Sequence, residues 1–140
     1  MKIEKFTGEH QFLSNFWPSE VAYDFMVFPT VEHAFAAAKT NDPDERALIQ
    51  LAESPGIAKK LGRKVKLRED WESEKVGIMT GLIHQKFQVG SELAGKLMAT
   101  GQAELIEGNW WGDTFWGVCK GKGENWLGVI LMKRREQLQT

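Results

Sequence analysis

The chain has 140 residues, of which 42% are hydrophobic and 26% charged, a balance typical of one folded domain. The net charge is −1, so the average field is weak and any attraction of anions must come from a local patch. One cysteine excludes an intrachain disulfide, and no apolar run approaches the ~18 residues of a membrane span. We expect a single domain over residues 1–140, located in the cytoplasm.

The first 30 residues are rich in residues that favour strands. Residues 21–28 predict a short hairpin with its turn near Asp24. In the segment before it, residues 12–18, two polar residues stand between apolar ones, and Pro18 disfavours a regular strand or helix. We predict a packed loop there.

Five helix-start signals follow along the middle of the chain. The predicted helices run from the Thr30 cap to Lys39, from Asp42 to about Ala52, from Ser54 to Gly62, from Asp70 to Phe87 and from Ser91 to Ala99. Gly77 and Gly81 lie inside the longest helix and each cost roughly 1 kcal/mol relative to alanine. They therefore indicate that another element packs closely against that helix.

The last 40 residues predict smaller elements. Residues 105–107 and 115–118 favour short strands, and Asn125 predicts the cap of a final helix from Trp126 to about Gln137. Together the elements predict an α+β fold, a mainly helical single domain with a short N-terminal hairpin and a few small strands.

The helix after Thr30 carries a candidate catalytic face. At helical spacing Glu32, Phe35, Ala36 and Lys39 share one side, and the small residues between Glu32 and Lys39 would let a ligand approach the backbone. The simpler interpretation is that both charges complement the helix dipole. The dipole favours an ionised Glu32, which suits a base or a stabiliser of positive charge better than a general acid.

Residues 109–118, NWWGDTFWGV, place one acid inside the densest aromatic stretch of the chain. Asp113 stands between Gly112 and Thr114, which is turn chemistry, so it can simply hold a turn while the tryptophans fill the core. The functional alternative is a stacking wall for a flat heterocycle, with the carboxylate orienting or protonating the bound molecule.

Two further segments are candidates for anion binding. Residues 56–68 hold six basic residues and no acid, which is either a solvated face or a phosphate patch. Residues 121–125, GKGEN, favour a plain turn over a phosphate loop. The histidines at 10, 33 and 84 are scattered, so we expect no metal site and no cofactor.

Ten short segments of this chain, taken together, resemble the NADAR family, also called the YbiA-like family. They are FLSNF (12–16), PTVEHAF (29–35), AAK (37–39), AKKLGR (58–63), REDW (68–71), KF (86–87), ATG (99–101), LIEG (105–108), DTFWG (113–117) and NWLG (125–128). Ala36 departs from the glutamine expected in many relatives. The resemblance runs nearly end to end and implies the same fold.

The resemblance implies cleavage of an N-glycosidic bond. The implied substrates are small N-ribosyl phosphates, namely the ribosylamino-pyrimidine phosphates of early riboflavin synthesis, or ADP-ribosyl-guanine, with nucleic acid as the carrier of the modified base. A non-catalytic module that binds ADP-ribose or a nucleotide is the alternative. In a purely structural domain the same residues would only terminate helices and turns.

The resemblance also implies roles for individual residues. Glu32 would stabilise the oxocarbenium-like C1′, Asp113 would protonate the base or position water, and Lys39 would capture the opened ribose as a Schiff base or act through its charge. The implied substrate-binding residues are Asn15, Phe16, His33, Phe35, Arg63, Trp71, Trp111, Trp116 and Gly117. Arg63, together with Lys59 outside that set, would pair with phosphate, and the tryptophans would wall the base. Trp110 and Trp126 would then be packing residues.

Overall fold

The computed structural model describes all 140 residues, and it confirms a mainly helical α+β fold. A 3-10 helix spans Gly8–Leu13. The strands are β1 (Lys2–Ile3), β2 (Pro18–Tyr23), β3 (Met26–Thr30), β4 (Glu104–Leu105), β5 (Gly108–Asn109) and β6 (Val118–Cys119). The helices are α1 (Val31–Ala38), α2 (Pro43–Gln50), α3 (Pro55–Gly62), α4 (Trp71–Lys86), α5 (Glu92–Ala99) and α6 (Trp126–Leu138). None of these helices is long and apolar enough to cross a membrane.

The chain forms two compact units. Residues 15–86, here called the central unit, hold the β2–β3 hairpin and helices α1 to α4. Residues 1–14 and 87–140, the terminal unit, hold the remaining elements. The single domain expected over residues 1–140 stays a prediction.

The predicted hairpin of the central unit is confirmed, with its turn at Asp24 and Phe25. Both turn residues have positive φ, 48° and 66°, and two such residues give a turn whose twist matches that of antiparallel strands. Arg46 on α2 pairs with the Asp24 carboxylate and lies over the Tyr23 ring. This contact ties the tip of the hairpin to α2.

Two glutamine side chains cover the outer edges of the hairpin. The Gln85 side-chain oxygen accepts the Ala22 N–H at 2.7 Å, and its amide nitrogen donates to the Ala22 carbonyl at 2.8 Å. On the other strand Gln50 donates to the Val27 carbonyl at 2.8 Å. A two-stranded sheet would otherwise expose these groups to another chain, so the side chains protect its edges.

The helix starts of the central unit follow the predicted caps. The side chains of Thr30, Asp42 and Ser54 each accept a backbone N–H from the first turn of the following helix. The loop predicted for residues 12–18 is only partly right. Residues 12 and 13 belong to the 3-10 helix, and Pro18 opens β2, because a first strand position requires no N–H donor.

Helix α1 lies at the centre of this unit, against the hairpin, α2, α3 and α4. All its residues except Glu32 are buried. A Cβ atom at Gly62 of α3 would lie 2.9 Å from the Ala36 Cβ, closer than side chains tolerate. The pair of small residues therefore lets the backbones of α1 and α3 approach closely.

The close packing predicted at Gly77 and Gly81 is wrong. Both glycines are exposed, and no atom lies within 4 Å of a Cβ placed on either one. They line an open groove beside Ala22 and Tyr23 instead. These two glycines therefore only lower the helix propensity of α4, and they do not indicate that another element packs closely against it.

In the terminal unit β1 pairs with β4 and β5 pairs with β6, each in parallel. The strand predicted over residues 115–118 is wrong except for Val118. The Phe115 and Trp116 carbonyls accept the N–H groups of Trp126 and Leu127 at 3.0 Å each, at the start of α6. Backbone carbonyls therefore satisfy the first turn of α6, and they are not available for a strand.

The predicted cap at Asn125 is also wrong in its mechanism. Asn125 has a left-handed backbone, with φ 55°, and its side chain makes no cap bond to α6. Its amide accepts the Glu107 N–H at 3.0 Å and donates to the Leu105 carbonyl at 2.8 Å. A Cβ atom at Gly128 would overlap the same Leu105 carbonyl, so α6 packs directly on β4.

The contrast between Gly62 and Gly77 gives a stability prediction. We expect Gly62→Ala to lower the free energy of unfolding by ~1–3 kcal/mol, because the new methyl group overpacks against Ala36. The matched control Gly77→Ala meets open space and should raise the free energy of unfolding by up to ~1 kcal/mol. Urea unfolding followed by circular dichroism measures both, and equal effects would contradict the proposed contact.

Candidate active site

Helix α1 presents Glu32 in its first turn and Lys39 at its C-terminal cap, and both side chains are partly exposed. The Glu32 N–H donates to the Asn15 carbonyl at 3.1 Å, which places the loop at 15–16 against the start of the helix. At the other end Arg68 donates its backbone N–H to the Lys39 carbonyl at 2.8 Å and its side chain to the Ala38 carbonyl. The backbone is thus held at both ends of the candidate face.

Lys39 lies in an environment that disfavours its charged form. Burial lowers the pKa of Lys39 most, and the cations Arg63, Lys59 and Lys75 lower it further. Glu32 acts in the opposite direction and raises the pKa of Lys39. Glu32 and Lys39 are therefore close enough for their charges to influence each other, and the net effect increases the share of neutral amine.

The predicted phosphate-binding residues Lys59 and Arg63 stand one helical turn apart on α3, near Lys39. The Lys59 ammonium lies 5.9 Å from the centroid of the Phe16 ring, within cation–π distance. Phe16 is 42% exposed, so part of its ring is accessible to a ligand. Phe16, Lys59 and Arg63 therefore form a surface with one aromatic face and two cations.

Phe35 and Trp71 form a tilted pair with ring centroids 4.9 Å apart and an interplanar angle of 53°. Each is only 6% exposed. A ring with so little accessible surface can offer a ligand its edge but not its face. The pair supports α1 against α4, and its predicted contact with substrate stays a prediction.

His33 has a structural environment that does not support the predicted substrate contact. It is 2% exposed, its Nε2 lies 3.0 Å from the Ala52 carbonyl and its Nδ1 lies 2.7 Å from the Thr30 hydroxyl. Since a carbonyl only accepts, Nε2 carries the proton and Nδ1 accepts from Thr30. Both ring nitrogens are therefore used to fix the start of α1 to the end of α2.

Asn15 has an unusual side-chain environment beside Glu32. Its amide nitrogen donates to the Met79 sulfur at 3.6 Å, a weak bond, and its amide oxygen is buried with no partner in the protein. Buried polar atoms without partners are rare and often belong to functional sites. This is consistent with the predicted place of Asn15 in the site.

In the terminal unit Asp113 holds a turn. Its Oδ1 accepts the N–H groups of Phe115 at 3.1 Å and Trp116 at 2.9 Å. The Asn109 side chain brackets the same turn, because it accepts the Asp113 N–H at 3.0 Å and donates to the Asp113 carbonyl at 2.9 Å. The structure therefore shows the simpler of the two roles considered for Asp113, and its catalytic role stays a prediction.

The exposure and the contacts of the tryptophans around Asp113 differ from the expectation. Trp110 is 84% exposed, so the packing role predicted for it is wrong. Trp111 is 46% exposed and meets Trp110 edge to face at 5.8 Å. Trp116 packs edge to face on Phe115 at 4.8 Å, and Trp126 stacks on the same ring at 6.0 Å.

Gly117 is accounted for by packing. It is buried, and a Cβ atom there would overlap the Glu107 carbonyl.

The residue that sequence reasoning missed is Lys75, which lies outside the basic run at 56–68 but acts on Lys39. Its spacing of four from Trp71 was the available signal. No group of three or more His, Cys, Asp or Glu side chains is arranged to hold a metal ion.

Comparison with known proteins agrees with the fold and with the motifs. The NADAR domain family model matches residues 4–139. N-glycosidase YbiA of Escherichia coli K12 is 42% identical over 130 residues, which cover 89% of this chain and 79% of that protein. Riboflavin biosynthesis protein VVA0006 of Vibrio vulnificus is 37% identical over 133 residues, which cover 93% of this chain and 36% of that longer protein.

A solved structure is also similar. The NMR structure of Escherichia coli YbiA superposes with a TM-score of 0.85 at 36% sequence identity, and the match covers 99% of this chain and 84% of that chain. The match therefore includes nearly all of the chain described above.

The environment of Lys39 predicts its titration. We expect its pKa to lie below the ordinary 10.5 of lysine, and Glu32→Gln to lower it further, because the substitution removes the carboxylate that favours the ammonium form. Carbon-13 NMR of the reductively methylated protein measures both, with the exposed Lys60 as the internal control. A Lys39 pKa at or above that of Lys60 would contradict the described environment.

Proposed function

The chain belongs to the NADAR domain family, and from this membership we propose that it is an N-glycosidase. The proposed reaction is hydrolysis of the bond between C1′ of a ribose and a nitrogen of a heterocyclic base. The observation that carries the proposal is the Glu32–Lys39 face of α1, where a carboxylate and a partly buried amine interact among three further cations. The names of the relatives, N-glycosidase and riboflavin biosynthesis protein, support the same chemistry.

Glu32 stabilises the positive charge that develops at C1′ as the C–N bond breaks. A carboxylate in the first turn of a helix is favoured in its ionised form by the helix dipole, which suits this role. The leaving base must gain a proton at the nitrogen that it releases. The role predicted for Asp113 in that proton transfer, or in the placement of the attacking water, stays a prediction.

Lys39 captures the released sugar. When the ribose opens, its C1′ becomes an aldehyde, and the neutral Lys39 amine adds to that carbon and expels one water to form a Schiff base. A second water then hydrolyses the imine and returns the free amine. The net reaction consumes one water and yields the free base and the sugar, which keeps its phosphate.

The substrate proposed is a small N-ribosyl phosphate. Lys59 and Arg63 supply the cations that a phosphate requires, and the partly exposed Phe16 supplies ring surface for the base. Relatives named for riboflavin biosynthesis favour the ribosylamino-pyrimidine phosphates of that pathway. ADP-ribosyl-guanine, free or in nucleic acid, is the substrate to compare with them.

The role of Glu32 predicts a large loss of turnover. We expect Glu32→Gln to keep the fold and to lower kcat by ~10²-fold or more, because the amide does not stabilise the cationic C1′. Release of free base from both substrate types is measured side by side by chromatography. The exposed Glu69→Gln is the matched control and should retain full activity.

Two results would contradict this account. Full turnover by a folded Glu32→Gln protein would remove Glu32 from the mechanism. Binding of ligand by the wild-type protein in calorimetry, with no base released over hours, would instead support a non-catalytic binding module.

The role of Lys39 predicts a covalent adduct. Sodium borohydride added during turnover should reduce the Schiff base, and mass spectrometry should place the ribosyl group on Lys39. Lys39→Arg should give no adduct, because a guanidinium is not nucleophilic at neutral pH. An absence of adduct in the wild-type protein during turnover would leave Lys39 only an electrostatic role.

A further inference from the structure

Helix α4 turns one continuous face towards α1. Trp71, Lys75 and Met79 follow at intervals of four residues and so lie on one side of the helix. Trp71 contacts Phe35 on α1, and Met79 contacts Asn15, whose carbonyl accepts the Glu32 N–H. Lys75 lies between these two contact points, so its side chain faces the same stretch of α1.

We propose that Lys75 is a further positioning residue of the site, held by Glu72 against the Glu32–Lys39 face of α1, where its charge acts on the Lys39 amine. The inference rests on the N-glycosidase function proposed above, in which Lys39 reacts with C1′. Lys75 lies outside the basic run at residues 56–68 and comes from a different helix than the other cations.

The conformation of Lys75 is unusual for a lysine at a helix surface. Its side chain is only 16% exposed, and its ammonium lies 2.7 Å from the Glu72 carboxylate, three residues earlier on the same helix. Lysine normally extends its charge into water, because burial costs solvation and loses side-chain freedom. Glu72, at 78% exposure, sits at the solvent side of this pair and limits where the ammonium can lie.

The charges that face Lys39 can be named for each element packed against it. Glu32 comes from α1, Lys59 and Arg63 from α3, and Lys75 from α4. Beside the last turn of α1, the side chains of Arg68 and Asp70 pair with each other at 2.6 and 2.9 Å. Among the cations Arg63 and Lys59 act more strongly on Lys39 than Lys75 does.

A bound substrate would affect the charge of Lys75 differently from the charges of Lys59 and Arg63. Lys59 and Arg63 are the residues proposed to bind phosphate, and a bound phosphate would offset their charge. Lys75 stands on α4, and its charge is already partly offset by the Glu72 carboxylate, so it is not among the residues proposed to bind phosphate. Its effect on Lys39 therefore persists in the complex, when the amine must be neutral to add to C1′.

The test compares Lys75→Met, which removes the charge, with Lys75→Arg, which keeps it. In Lys75→Met the pKa of Lys39, measured by carbon-13 NMR of the methylated protein, should rise by a few tenths of a unit. The acid limb of the pH profile of kcat, and the pH dependence of borohydride trapping, should move to higher pH by the same amount. Lys75→Arg should match the wild-type profile.

Lys60→Met is the matched control, because Lys60 is exposed on α3 and does not act on Lys39. It should leave the profile unchanged. Lys75→Gln serves as a second uncharged variant if Lys75→Met does not fold.

Two outcomes overturn the inference: an unchanged Lys39 titration in both uncharged variants, or a rise in KM for the ribosyl phosphate with an unchanged pH profile. The second would make Lys75 a phosphate ligand. If the wild-type protein neither turns over nor forms the adduct, the proposed function fails, whereas the NMR titration still tests the contact between Lys75 and Lys39.

Discussion

The burial of helix α1 is the constraint on which the central unit depends. Eight residues long, it is too short to be stable alone, and it persists because the hairpin and three helices cover it. Only the residues at its ends, Glu32 and Lys39, keep access to solvent. The same packing that stabilises the helix therefore also selects which of its side chains can meet a ligand.

Polar contacts hold both ends of α1. Thr30 and His33 fix its start to the end of α2, and the backbone of Arg68 satisfies its last carbonyl. Between these ends the packing uses small residues, with Gly62 on Ala36. This packing brings Lys59 and Arg63 near Lys39, although they are distant from Lys39 in the sequence.

Local sequence predicted the features that depend on neighbouring residues, and it failed for the features that depend on contacts with residues distant in the chain. The hairpin turn and the caps at Thr30, Asp42 and Ser54 follow from side-chain chemistry within four residues. The strand expected at 115–117 failed because the Phe115 and Trp116 carbonyls accept N–H groups that lie eleven residues later, in the first turn of α6. The Glu32–Lys39 face was predictable from helical spacing, whereas Lys75 required knowledge of which side of α4 meets α1.

The order of causes at Lys39 also bears on how such a site works with a charged substrate. A phosphate bound by Lys59 and Arg63 would offset their charges and so favour the protonated, unreactive form of the Lys39 amine. Burial is the larger cause, however, and a substrate lying over the Glu32–Lys39 face would exclude more water from it. Deeper desolvation therefore acts against the effect of the phosphate, in the direction that keeps the Lys39 amine neutral, so phosphate binding and amine reactivity can be combined on this face.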